Sequence, residues 1–213
     1  MLKTISEWAK LFRIEHGLML SVATYIGLKI ASYKGDLLIP LLIPLFIEMG
    51  AFALNDYFDI KTDKENKRFE RPLVKGTIKK EHAFFAGIFF LVFGSFLSYF
   101  ININAFLFSI FLAFTSYLYS YKIKDIALIG NMFIAFTMSA PFIFPYFITG
   151  SFQYFNFLLS LSAFFTGLSR EIVKTVQDFD ADLKQRKSKT LPFYIGKKNS
   201  IKLALIIFVI SVF

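Results

Sequence analysis

AFFAGIFFLVFGSFLSYFININAFLFSIFLAFTSYLYSY, residues 83–121, contains no charged side chain. A membrane-crossing helix needs about 20 mostly apolar residues. This stretch therefore holds two, with Asn102 and Asn104 as the polar turn between them. Residues 126–169 are likewise uncharged and predict a second helical pair, folding back near Gly150 and Ser151. Upstream, residues 17–30 with their flanks and residues 37–58 each read as one span. Downstream, the sixth span runs on towards Lys174, and a seventh begins near Ile201 and is cut short at Phe213. At 56% hydrophobic, the chain exceeds the 45–50% usual for soluble domains. The expected fold is all-α: a polytopic membrane helical bundle of about seven spans, forming one transmembrane domain over residues 1–213.

Charge placement supports this threading. A net charge of +9 raises the possibility of nucleic acid, but the basic residues lie in the gaps between apolar runs. That is the pattern of membrane-protein loops, so no nucleic-acid partner is expected. With alternating sides, only Lys29 and Lys34 of the 24 Lys and Arg fall opposite the rest. The basic side reads as cytoplasmic, with the amino terminus inside the cell membrane. Residues 1–13 are polar and amphipathic, lack a signal-peptide cleavage pattern, and read as a surface segment. Lys187, Lys189, Lys197 and Lys198 read as topology signals and contacts to anionic lipid. The absence of cysteine excludes disulfides, thiolate nucleophiles and Cys-based metal sites. His16 and His82 form no metal motif.

The acidic residues carry the chemistry. Asn55, Asp59 and Asp63 recur every four residues where the second span runs out into a basic loop. Four-residue steps on a helix drift by about 40° and rise roughly 6 Å, so the three side chains share one face. Asp178 and Asp182 repeat the arrangement, and Arg170, Lys174, Asp178 and Asp182 form one stripe on a continuous helix. Each acidic run alone could be a solvated helix end or a set of lysine partners. Two runs on one side, with matched spacing, point to magnesium held by oxygen ligands with a diphosphate. Arg68, Arg71, Arg170 and Lys174 are placed to grip phosphate oxygens, with Lys122 or Lys124 as a further candidate. Asp59, Asp63, Asp178 and Asp182 are the candidate catalytic residues.

Glu48 lies within the second span, where a carboxylate is costly and a functional candidate by default. It has two readings: a structural partner of Arg13 or His16, or an acceptor-binding group. Most phenylalanines face lipid or neighbouring helices; a few could line an isoprenoid tunnel and stabilise an allylic cation. A cation-coupled transporter is the rival from another class. Its coupling sites would sit near the bilayer midplane, whereas these carboxylates cluster at one face.

The segment NDYFDIKTDKENKRFERPLVKG, residues 55–76, resembles the first signature of the UbiA superfamily of intramembrane prenyltransferases. REIVKTVQDFDADLKQRKSKTLP, residues 170–192, resembles the second, and YSYKIKDIALIGN and the early RIEHG also fit. The wording is most similar to the archaeal branch that makes digeranylgeranylglyceryl phosphate, an ether-lipid precursor. The resemblance implies a bundle of nine spans around a central cavity. It implies magnesium on Asn55, Asp59, Asp63, Asp178 and Asp182, and transfer of a geranylgeranyl group to geranylgeranylglyceryl phosphate. An aromatic acceptor, as in quinone biosynthesis, would use the same diphosphate machinery. Arg13, His16, Glu48 and Asn131 are the acceptor-binding candidates. Three features depart from the pattern: Thr175 replaces an Asp, the loop lysine is off its usual spacing, and the last two helices are expected to be missing.

Overall fold

The computed structural model describes residues 2–186 and 188–212, except the side chains of residues 2, 3, 181, 185 and 186. Among the described residues the structure is all helical, without strands. The elements are α1 (Leu2–Phe12), α2 (Ile14–Ile30), α3 (Leu38–Glu65), α4 (Pro72–Lys75), α5 (Lys80–Tyr99), α6 (Ile103–Tyr121), α7 (Ile129–Thr149), α8 (Tyr154–Arg186) and α9 (Leu191–Val212). A single 3-10 turn, Ile123–Asp125, sits between α6 and α7.

The local reasons are legible. Asn102 caps α6 by accepting from the Ala105 N–H at 2.8 Å and donates its own amide to the Ile148 carbonyl at 2.8 Å. The predicted turn thus also pins the end of α7. Gly150, with φ 68°, closes α7 in the left-handed conformation that glycine tolerates best. Pro192 stands in the first turn of α9, where its missing N–H costs nothing. A break at Gly196 (φ 78°, ψ 156°) splits α9, and its second part carries the apolar run predicted from near Ile201.

Among the described residues four helices are long and apolar enough, by length and composition, to cross a membrane: α3, α5, α6 and α7. With 17 residues α2 is shorter, and α8 joins an apolar half to a charged half. The helices α2, α3, α5, α6 and α7 close a ring, α8 packs on α7, and α9 packs on α8. Lipid gives apolar faces no reason to bury themselves, so close backbone approach takes over. A Cβ added at Gly50 would lie 2.7 Å from the Gly87 carbonyl, so α3 and α5 meet backbone to backbone there. Leu28, Ile47, Leu54, Leu91 and Phe144 fill the ring, while Phe85, Phe89, Phe96 and Phe114 point outwards.

Both long helices outrun their apolar stretches. At about 1.5 Å per residue, the 28 residues of α3 and the 33 of α8 carry their charged ends well past the ring. The helix α1 lies against α3 and α4 through Leu11, Phe12, Met49 and Leu73. Its Glu7 accepts from the Thr77 hydroxyl at 2.6 Å and from Lys75 and Lys10 at 3.4 Å.

Candidate active site

The charged ends of α3 and α8 enclose a polar cavity of about 310 Å³. One face of α3 contributes Asn55, Asp59, Asp63 and Asn66. One stripe of α8 contributes Arg170, Lys174, Asp178 and Asp182. The two acidic runs meet through Arg68. Its guanidinium lies 3.5 Å from Asp63 and 3.6 Å from Asp178, spanning 115 residues of sequence between those carboxylates.

The basic residues arrive on short elements. Arg71, the residue before α4, donates to Asp63 and, at 2.9 Å, to Asp56. Lys124, on the 3-10 turn, donates to Asp59. The turn is held close because α7 begins with Gly130. A Cβ there would lie 3.1 Å from the Lys124 Cα, so a larger residue would push the lysine away. Lys122 ends α6, exposed and outside the cavity lining, so of the two candidate lysines Lys124 is the one that faces the acids. Asn131 donates to the Glu171 carbonyl at 3.0 Å and to the Thr175 hydroxyl at 2.6 Å, tying α7 to α8 beside the cavity. Thr175, in place of an acid, serves this tie.

The remaining sequence candidates separate. Arg13 lines the cavity but donates to Asp56 at 2.8 Å and lies 4.2 Å from the Phe52 ring centre. Burial pulls its pKa below the ordinary arginine value, and Asp56 opposes that shift; it stays protonated. His16 is exposed, packs edge-on against Phe52 and lies 3.7 Å from Glu15. Glu48 lines a second, apolar chamber and makes no direct ion pair with Arg13 or His16, though the Arg13 charge acts on it. Of the tyrosines, Tyr119 lines the cavity, while Tyr117 and Tyr121 pack on Phe58. Lys197 pairs with Asp180, Lys189 lies over the Phe193 ring, and Lys187 falls outside the described residues.

Two residues escaped the sequence reading. Asp56, 2% exposed, is the common acceptor of Arg13 and Arg71. It is one residue from Asn55 and so turns about 100° away, off the four-residue pattern. Glu171 is buried in the cavity wall between Arg170 at 2.9 Å and Lys174 at 3.5 Å. Only its place between two cations signals it.

The donor set on the acidic runs is all oxygen, the chemistry magnesium takes. Among the described residues no three acidic or histidine side chains already stand together as a metal-binding group. The reason is visible: Lys124, Arg68 and Arg71 occupy Asp59, Asp63 and Asp178. The right ligand type faces one cavity, and basic side chains hold it.

A helical membrane bundle with this charged cavity at one end defines a class of intramembrane proteins. Residues 19–213 match the UbiA prenyltransferase family, and the chain belongs to it. It is 35% identical to digeranylgeranylglyceryl phosphate synthase of Archaeoglobus fulgidus, over 95% of this chain and 70% of that protein. A solved structure concerned with digeranylgeranylglyceryl phosphate synthase in membranes superposes with TM-score 0.80 at 31% identity, covering 99% of this chain and 75% of that one. A UbiA homolog from Archaeoglobus fulgidus bound to DMAPP and Mg2+ shares the fold, with TM-score 0.79 at 22% identity, 97% of this chain and 75% of that one. The chain spans 55% to 77% of the length of the curated relatives it matches.

Proposed function

We propose that this protein transfers a geranylgeranyl group from its diphosphate to the free hydroxyl of geranylgeranylglyceryl phosphate, with magnesium, in archaeal ether-lipid synthesis. The observation that carries the reading is the meeting of both acidic runs on one cavity, joined by Arg68. Similarity to digeranylgeranylglyceryl phosphate synthases supports the choice of donor and acceptor. In this reading Asn55, Asp59, Asp63, Asp178 and Asp182 hold magnesium. When bound, magnesium supplies positive charge against the departing diphosphate. Arg68, Arg71, Lys124, Arg170 and Lys174 grip phosphate oxygens, for which their carboxylate partners stand in. Arg13 and Asn131 border the acceptor side. Neither His16 nor Lys122 receives a role here, since neither reaches the cavity. The charged end faces the cytoplasm of the cell membrane, in keeping with the charge pattern.

The test uses purified protein in detergent with labelled geranylgeranyl diphosphate and either the lipid alcohol or an aromatic acceptor. Asp59→Ala and Asp178→Ala should each lower transfer by about 100-fold or more in protein that still folds. A chelator should do the same to the wild type. Near-normal turnover in either variant would refute the metal assignment. Transfer to the aromatic acceptor alone would move the protein to quinone-type chemistry, and ion flux without diphosphate release would make it a transporter.

A further inference from the structure

Beneath the polar cavity lies a second chamber of about 50 Å³ between α2, α3, α6 and α7. One water-sized group takes about 10–15 Å³, so the chamber has room for roughly three to five. Its wall is apolar, with Leu20, Ile43 and Phe144, apart from a few oxygen-bearing side chains. Three of these matter. The hydroxyls of Thr24 and Ser109 belong to residues that are 0% exposed, and neither has a hydrogen-bond partner. Glu48 opens into the same space; it makes no direct hydrogen bond or ion pair among the described residues, and the Arg13 charge acts on it from a distance. Partnerless hydroxyls inside the chamber wall and a carboxyl opening on the same space are each costly, so the chamber favours a polar guest.

The chamber continues the site. Glu48 stands seven residues before Asn55, about 10 Å along α3 and on nearly the same face. On α6, Ser109 and Ser116 line the chamber and Tyr119 the polar cavity. On α7, Thr137 lines the chamber and Gly130, seven residues earlier, the cavity. Three helices therefore carry one interior face from charged mouth to apolar chamber. A diphosphate held at the mouth points its first carbon down this face.

We propose that the chamber seats the hydroxyl of an aliphatic alcohol acceptor and that Glu48 accepts its proton. The inference rests on the prenyl-transfer reading and names the base that reading lacks. The hydroxyl oxygen bonds to the first prenyl carbon. The bond from that carbon to the diphosphate oxygen breaks, and its electron pair leaves with diphosphate. The hydroxyl proton passes to the Glu48 carboxylate. One of the two hydroxyls, Thr24 or Ser109, donates to the lone pair not used in the attack, and the other to the pair that the departing proton frees; together they hold the oxygen in line.

Glu48→Gln keeps the shape and removes the base. Transfer should fall by about 100-fold or more, the scale of general base catalysis, and Glu48→Asp should recover part of it. Adding the alcohol acceptor to the wild type should shift a carboxyl band in the infrared difference spectrum, and Glu48→Gln should abolish that band. A Glu48→Gln protein that transfers within about three-fold of wild type, or an acceptor-induced band that survives the substitution, overturns the proposal. Should Glu48→Gln fail to fold, Thr24→Val and Ser109→Ala carry the test. Each should raise the acceptor KM by about ten-fold, and an unchanged KM in both overturns the proposal. Wild-type protein that transfers nothing would sink the underlying reading; wild type and Glu48→Gln transferring equally would sink this inference alone.

Discussion

Asp56 should be the ionic keystone of the charged end, and Asp56→Asn measures it. The side chain is 2% exposed, and one of its oxygens receives Arg13 at 2.8 Å and Arg71 at 2.9 Å. These bonds join three segments: the α1–α2 junction, α3, and the loop leading to α4. Removing one partner of a buried ion pair costs about 3–5 kcal/mol. Here the guanidiniums keep some water, at 24% and 15% side-chain exposure, and Arg71 retains Asp63. Asparagine also keeps one acceptor oxygen. The expected loss is therefore about 2–4 kcal/mol, or roughly 5–15 °C in Tm for a chain of this size. Trp8 offers a direct probe, since it is the one tryptophan and stacks on Phe12 within α1. Heating in detergent should show Trp8 fluorescence changing earlier in Asp56→Asn than in wild type. In Asp56→Asn combined with Arg13→Gln, the losses should fall short of additive by about 1 kcal/mol or more. A Tm within about 1 °C of wild type, or strict additivity, refutes the keystone.

Two further outcomes follow from the geometry. Lys124→Ala should lower transfer by about ten-fold or more while Lys122→Ala stays within about two-fold, because only the first reaches the acids; equal effects in a steady-state assay would contradict this. Glu7 is held below its ordinary pKa of 4.5, first by the Thr77 hydroxyl, against the effect of burial, with Lys10 and Lys75 adding to the lowering. A depressed carboxyl stabilises the fold fully above its unfolded value and loses that contribution as pH falls through its folded one. Docking of α1, followed by Trp8 fluorescence, should therefore loosen on acidification below about pH 4.5, and Glu7→Gln should remove that acid transition.

Much of the architecture could be read from residue order. Uncharged runs marked the helical pairs, because lipid admits no unpaired backbone and few charges. The four-residue acidic spacing located one face of α3 and one stripe of α8, because helical period alone sets which side chains share a face. The helical turn that Pro192 opens before the Gly196 break lies in a lysine-rich segment with no apolar period to announce it. Asp56 and Glu171 were missed for another reason. Their roles come from partners on other helices, and no local period announces a partner.

The boundary between greasy and charged ends and the face carrying each acid of the four-residue runs were determined by the sequence alone, since each depends on neighbours within a turn or two. The tertiary fold decided which lysine turns inward, that Arg68 spans the two acidic runs, and that Glu48 opens into a chamber with Arg13 acting on it only from a distance. Those outcomes depend on distances between helices far apart in the chain, and packing of the whole ring sets those distances.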